Sequence, residues 1–115
     1  MRMKVVEDKI SINELQKMAR EVFGDLIKAV VDIEKEIMAI NGELHSDEEA
    51  LLLDRGSKQE NLWGINIYPE IKGGEWIEFD SMINVRPSLG NLSRGIDDLK
   101  TKKRVTEIVN KLVGR

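Results

Sequence analysis

The sequence predicts an α+β fold, a largely antiparallel sheet packed by amphipathic helices, and two observations carry that prediction. Apolar and polar residues alternate with the period of two typical of strands over residues 26–40, 61–68 and 76–87. Apolar residues recur at helical spacing over residues 11–24 and 96–115. The expected sheet consists of two hairpins plus a short N-terminal strand, packed by the N- and C-terminal helices and one short helix.

The N-terminal part of the chain predicts a strand and then a helix. The β-branched pair in residues 4–8 is typical of a short strand. Ser11 and Glu14 have the spacing of a capping box, and Gly24 stands where a helix ends. The apolar stripe of this helix comprises Leu15, Met18, Ala19, Val22 and Phe23. The stripe predicts that the helix packs on the core.

Residues 26–40 predict a β-hairpin with its turn at residues 34–36. One face carries Ala29, Val31 and Ile33, and the other carries Lys28, Asp32 and Glu34. A single helix is the alternative, because Glu, Lys, Met and Ala are good helix formers. Asn41 and Gly42 end or bulge the second strand.

The middle of the chain predicts a short helix and a second hairpin. Ser46 is the expected N-cap with Glu49 three residues later, and Gly56 is the expected stop. The expected apolar contacts are Ala50, Leu51 and Leu53. In the hairpin, the core face is predicted to hold Trp63, Ile65 and Ile67 on one strand and Ile77, Phe79, Ile83 and Val85 on the other.

The last part of the chain predicts a loop over residues 88–95 and then a helix. Asp97 and Asp98 suit a helix N-terminus, where negative charge is favourable. The apolar stripe comprises Val105, Ile108, Val109 and Leu112.

The length, net charge and cysteine content of the chain exclude several classes of protein. At 115 residues the chain fits one domain over residues 1–115, and a net charge of −3 predicts no strong attraction to nucleic acid. The sequence has no cysteine, so disulfides and thiolate metal sites are excluded. The first residues lack the pattern of a signal peptide, and no run approaches the roughly 18 apolar residues of a membrane span. A cytoplasmic protein is expected.

A polar face on the predicted strand over residues 76–87 is the first candidate site. It holds Glu78, Asp80, Met82, Asn84 and Arg86, with Asn66 and Tyr68 on the neighbouring strand and Ser88, Asn91, Ser93 and Arg94 in the following loop. A solvated face is the ordinary interpretation, but Asn is depleted in strands and needs a local reason.

The sharper hypothesis is that this face and loop bind a small anionic ligand or partner group. Guanidinium is a planar, two-pronged donor for carboxylate or phosphate, which assigns Arg86 and Arg94 as anion donors. The candidate orienting residues are Asn66, Asn84, Asn91 and Ser93. The competing interpretation pairs the arginines with Asp80 or Asp97 as salt bridges within the loop.

A second cluster predicts a metal site in a metal-dependent hydrolase or nuclease. Glu43, His45 and Asp47 carry imidazole and carboxylate ligands, and Glu78 and Asp80 can complete the set. The ordinary interpretation of the single histidine is a helix cap or a packed side chain. Sequence alone leaves open whether the protein is an enzyme and which cofactor it uses.

Further sequence patterns help to decide which binding partners are expected. Lys100, Lys102, Lys103 and Arg104 are typical of the solvated face of a helix. Trp63 is expected in the core, whereas Trp76 falls in the polar register and is the better candidate for an exposed aromatic. A third hypothesis is a protein-interaction or homodimer module that uses the sheet face or an edge strand.

The segments from Gly42 to Glu70 and from Trp76 to Asp98 resemble a small family of single-domain bacterial and archaeal proteins catalogued only as a domain of unknown function. The resemblance spans nearly the whole chain. Its recurring positions correspond to Glu43, His45, Trp63, Asn66, Arg86, Pro87, Gly90, Asn91, Ser93 and Arg94. The resemblance implies no activity, cofactor or partner.

Overall fold

The computed structural model describes residues 2–115 and contains seven strands and three α-helices within them. In chain order they are β1 (Lys4–Val6), β2 (Ile10–Ser11), α1 (Ile12–Val22), β3 (Ile27–Asp32), β4 (Ile37–Ile40), α2 (His45–Asp54), β5 (Leu62–Ile67), β6 (Ile77–Glu78), α3 (Leu99–Leu112) and β7 (Val113–Gly114). The main sheet has five antiparallel strands in the order β1-β4-β3-β5-β6. Strands β2 and β7 form a separate parallel pair. The predicted α+β class is confirmed.

Helices cover both faces of the sheet. The larger core cluster joins α1 and α3 to one face, and it includes Leu15, Val31, Ile65 and Val105. A smaller cluster joins Leu52 of α2 to the opposite face. The prediction that the second face is solvated is therefore wrong for the part beneath α2, since residues such as Asp32 there are fully buried.

Buried Asp32 shows how a charged residue of the predicted solvent face is accommodated. Its carboxylate accepts hydrogen bonds from the backbone N–H groups of Glu34 and Lys35 at 2.9 and 3.0 Å and from the Ser57 hydroxyl at 2.6 Å. These bonds organise the turn of the β3–β4 hairpin, because an acceptor-rich carboxylate satisfies several donors at once. The hairpin is confirmed, and the single-helix alternative is wrong.

Caps define the two long helices as the sequence predicts. Ser11 accepts from the Glu14 N–H at 3.1 Å at the start of α1, and Gly24 takes the left-handed conformation after its end. Asp98 caps α3 by accepting from the Thr101 N–H at 3.1 Å. The predicted apolar stripe of α3 is buried throughout.

Helix α2 begins earlier than predicted. Leu44 occupies the N-cap position without a side-chain cap, so Ser46 lies inside the helix and the predicted cap is wrong. The buried face of α2 consists of His45, Glu48 and Leu52, whereas Ala50 and Leu53 are exposed. Two polar residues therefore occupy the positions that face the sheet, which apolar periodicity does not reveal.

The predicted strand over residues 76–87 is wrong beyond Glu78. The chain instead forms short 3₁₀ turns at Met82–Asn84 and Pro87–Leu89. Trp76 is buried, so the prediction of an exposed aromatic there is also wrong, while the prediction that Trp63 lies in the core is confirmed.

Candidate functional site

The segment that replaces the predicted strand is a loop held in place by side-chain amides, here called the amide loop, residues 79–98. Asn84 is fully buried in it. The Asn84 Oδ1 atom accepts from the Gly64 N–H at 2.8 Å, and its Nδ2 atom donates to the Gly64 carbonyl at 2.9 Å. The same Nδ2 atom donates to the Arg94 carbonyl at 2.9 Å. One side chain thus pairs with β5 as a strand would.

The side chain of Arg86 also bonds to β5 where a neighbouring strand would otherwise do so. Tyr68, directly after β5, donates its N–H to the Trp76 carbonyl. Because backbone direction alternates along a strand, the even-numbered residues of β5 also direct their N–H and C=O groups towards β6. Beyond the end of β6, Arg86 Nη2 donates to the Leu62 carbonyl at 2.5 Å. Buried backbone groups require partners, and the side chains of Asn84 and Arg86 supply them where β6 stops.

Gly64 is required by the same arrangement. A Cβ atom at this position would lie 2.6 Å from the Cβ and Oγ atoms of buried Ser81. Ser81 in turn donates its backbone N–H to the Arg94 carbonyl at 2.9 Å. Alternation alone does not reveal this pair, although a glycine inside a strand is a signal of close backbone approach.

Asn91 fixes the second half of the amide loop. Its Nδ2 atom donates to the carbonyls of Asn84 and Gly95, both at 2.8 Å, and its Oδ1 atom accepts from the Asp97 N–H at 2.8 Å. The Asp97 carboxylate accepts from Ser93, and this hydrogen bonding lowers the pKa of Asp97. The loop is therefore crosslinked at both of its buried amides.

The residues predicted to bind an anion have protein partners in this structure. Arg94 pairs with Asp80, and Arg86 pairs with Glu49 at 3.4 Å. Asn66 Nδ2 donates to Glu78 Oε1 at 2.8 Å, while its own Oδ1 atom is buried and has no hydrogen-bond partner among residues 2–115. Asn84, Asn91, Ser93 and Arg94 are brought together in the amide loop, whereas Asn66 lies beside Glu78 and Tyr68.

The residues predicted to bind a metal are placed differently. His45 is buried, and its Nε2 atom lies 2.7 Å from the Ile65 carbonyl, to which it donates. Glu43 and Asp47 are exposed. Within the part of the chain that the structure describes, no group of three or more His, Asp or Glu side chains is placed to hold a metal ion.

Helix α2 adjoins the amide loop through the Glu49–Arg86 ion pair, whereas Glu43, His45 and Asp47 form no side-chain hydrogen bond or ion pair with Glu78, Asp80 or the loop arginines in the described chain. Burial lowers the pKa of His45, the Ile65 hydrogen bond opposes that shift, and the charge of Lys28 lowers the pKa further. The imidazole of His45 is therefore neutral, because burial disfavours the charged ring and one N–H is enough to donate to the Ile65 carbonyl.

Glu48 is the most perturbed carboxyl group in the protein. Burial raises its pKa to about 9, so it is protonated at neutral pH. Its Oε2 atom accepts from the Gly42 N–H at 2.9 Å, and Oε1 has no partner among the residues described. A Cβ atom at position 42 would lie 2.8 Å from the Glu48 Cγ atom, which explains the glycine.

A groove of about 520 Å³ runs between the amide loop and a wall formed by Glu49 of α2 with Gln59 and Glu60, which follow that helix. Its apolar lining comprises Met82, Ile83, Val85, Pro87 and Leu89, and its polar lining comprises Glu49, Gln59, Glu60, Arg86 and Ser88. The Arg86 guanidinium lies 5.0 Å from the centre of the Trp63 ring. Together with Glu49 it forms a mostly buried ion pair beside the groove, because the two side chains are only 10% and 13% exposed.

Comparisons with known proteins agree with the sequence resemblance. Residues 4–112 match the model of a family described as "Protein of unknown function (DUF5674)". No curated protein and no solved structure matches the chain. In residues 2–115 no helix is both long enough and apolar enough to cross a membrane. Since the match covers almost the whole chain, the protein belongs to the DUF5674 family.

Proposed function

We propose that this protein is a binding module that takes a short segment of a partner protein into the groove beside the amide loop. The observation that carries the proposal is a set of apolar side chains displayed by a loop that is otherwise crosslinked. Met82, Val85 and Leu89 are 65%, 36% and 50% exposed, and all three line the groove. Contiguous exposed apolar surface on a protein of this size is typical of an interaction site.

The construction of the amide loop supports recognition. Binding is weakened by the entropy of ordering flexible groups, so a surface that is ordered beforehand binds more tightly. Asn84 and Asn91 fix the loop through seven hydrogen bonds to its own backbone and to β5. The apolar side chains are therefore presented from a rigid support.

The charges of the groove indicate the chemistry of the partner. Arg86 is already matched by Glu49, whereas Glu60 is exposed and forms no ion pair with any residue of the described chain. Gln59 adds a neutral amide to the same wall. The expected ligand is a peptide segment with one or two large apolar side chains next to a lysine or arginine, because its cation can approach Glu60.

A small anion is less well supported as the ligand. Arg86 and Arg94 each lie beside a carboxylate, which neutralises part of the charge that would attract an anion, and the Nε and Nη1 atoms of Arg86 that lack a partner among the described residues are buried. Displacing Glu49 leaves a mostly buried carboxylate unpaired, which is costly. The Arg94 pair is half exposed and the more accessible of the two.

Selection from a phage-displayed library of random peptides tests the proposal. The expected result is enrichment of sequences that combine apolar and basic residues, whose synthetic peptides shift the NMR amide signals of residues 59–60 and 82–89. Leu89→Ser should weaken their binding by roughly tenfold or more, since truncation of a hot-spot side chain costs at least about 2 kcal/mol.

The matched control is Leu99→Ser, at a residue that is 77% exposed but does not line the groove. This variant should bind the selected peptides as the wild type does. Equal loss in both variants, or no enrichment at all, contradicts the proposal. Inorganic phosphate is titrated in parallel, and amide shifts confined to residues around Arg94 would favour the anion hypothesis instead.

A further inference from the structure

The outer edge of β1 is a second surface without a partner. Strand β1 is at the end of the sheet and pairs only with β4 among the described strands. A depression of about 1140 Å³ follows this edge. Residues 2–5 lie along it, Met18 and Val22 of α1 line one side, and Arg55 lies beyond the end of α2. Unpaired strand edges are natural templates for pairing with another strand.

The backbone groups that face this depression can be identified. The Arg2 carbonyl accepts from Asn41 Nδ2 at 2.9 Å, so Arg2 directs its backbone towards the β4 side. Lys4 lies opposite Ile40 of β4 in the register of the sheet. Backbone direction alternates along an extended chain, so the N–H and C=O groups of Met3 and Val5 point outward. The backbone groups of these two residues are therefore available for hydrogen bonds to another strand.

When two copies of this edge are placed antiparallel, the basic residues of one copy face the acidic residues of the other. Arg2 and Lys4 precede the apolar pair Val5 and Val6, and Glu7 and Asp8 follow it. Within the described chain only Lys4 of these four charged residues has an ion-pair partner, Glu14. Antiparallel pairing centred on Val5 brings Arg2 towards the partner's Asp8, and the symmetry repeats that contact.

From this pattern we propose that two copies of the chain pair through their β1 strands and form a homodimer with one continuous antiparallel sheet. Val5 then lies on the two-fold axis, where its outward N–H and C=O groups bond to those of the partner's Val5. The half-buried side chains of Met18 and Val22 line the same depression, so the second copy also covers apolar surface of α1. The groove beside the amide loop is a different surface, because its lining shares no residue with the depression.

Sedimentation velocity over a range of concentrations up to about 0.5 mM tests the proposal. The wild type should change with concentration from the monomer mass of 13.1 kDa to twice that mass. Arg2→Glu and Asp8→Lys should each weaken self-association by roughly tenfold, since each places two like-charged pairs across the interface. An equimolar mixture of the two variants should associate as the wild type does, because opposite charges then face each other.

A single proline substitution tests whether the edge of β1 forms the interface. Met3→Pro removes an outward N–H and keeps the bonds to β4, since proline is tolerated at the free side of an edge strand. It should abolish dimerisation, while the matched Met3→Ala keeps the N–H and should still dimerise. Circular dichroism confirms that both variants are folded. A wild type that stays monomeric overturns the proposal, as does a dimer that survives both Met3→Pro and the charge reversals.

Discussion

Asn84→Ala removes the side chain that pairs with Gly64 at the edge of β5 beyond the end of β6. The Gly64 N–H and C=O groups lose their partner, while the Arg94 carbonyl keeps its bond from the Ser81 N–H. Asn84 is fully buried, so water does not readily replace the amide. An orphaned buried polar group costs about 1 to 3 kcal/mol, so two of them predict a loss of about 3 kcal/mol in the free energy of unfolding.

Urea unfolding followed by tryptophan fluorescence measures this loss, because Trp63 and Trp76 are both buried in the folded protein. A loss of that size should lower the thermal midpoint by roughly 10 °C for a domain of this length. Asn110→Ala, at an exposed asparagine of α3, is the matched control and should change the free energy of unfolding by less than about 0.5 kcal/mol. A loss below about 1 kcal/mol for Asn84→Ala would refute the reasoning.

Three further predictions follow from other contacts. The pKa of Glu48 is raised when folded, so its contribution to stability is complete below the unfolded value of about 4.5 and is lost as pH rises towards 9. The wild type should therefore lose roughly 4 kcal/mol in the free energy of unfolding between about pH 5 and 8, as measured with urea, and Glu48→Gln should remove most of this decline. An unchanged slope would contradict the assignment. Gly64→Ala should cost about 1 to 3 kcal/mol through its clash with Ser81, and thermal melts should show partial recovery in Gly64→Ala with Ser81→Gly. Arg94→Ala should cost no more than about 1 kcal/mol in urea unfolding, because its pair with Asp80 is half exposed, and a larger loss would assign Arg94 a structural role.

The elements with clear local signals were predictable from the sequence. The alternation of the β3–β4 hairpin is interrupted by polar residues at its turn, and both signals agree with the structure. Ser11 marks the start of α1 because a hydroxyl satisfies a free N–H there. These features depend on neighbours in the chain, which is why periodicity and capping rules identify them.

The amide loop could not be predicted because its order comes from contacts distant in sequence. Ile77, Phe79, Ile83 and Val85 alternate as in a strand, but only Ile77 lies in one. The asparagine at position 84 was the available clue, since Asn is unfavourable in strands. Its partner Gly64 is 20 residues away, and no local rule connects the two.

Sequence patterns singled out the segment that lines the groove, but not the contacts that its side chains make. Sequence reasoning selected the segment around Arg86 and Arg94, and the groove lies beside it. The competing interpretation, in which a loop arginine pairs with Asp80, agrees with the Arg94–Asp80 salt bridge. The pairing of Arg86 with Glu49 was not predicted, because helix α2 and the loop meet only in the folded chain. The exposure of Met82 and Leu89 agrees with the predicted polar face and loop, but no sequence pattern indicated that Met82, Val85 and Leu89 line one groove.

Amide hydrogen exchange at Gly64 tests the central claim most directly, which is that side chains hold the amide loop rigidly against β5. The Gly64 N–H bonds to the Asn84 side chain instead of to a strand. If the loop is rigid, this amide should be protected as strongly as the amides of β5 that pair with β3 and should lose its protection in Asn84→Ala. Exchange at the rate of an exposed loop in the wild type would contradict the account.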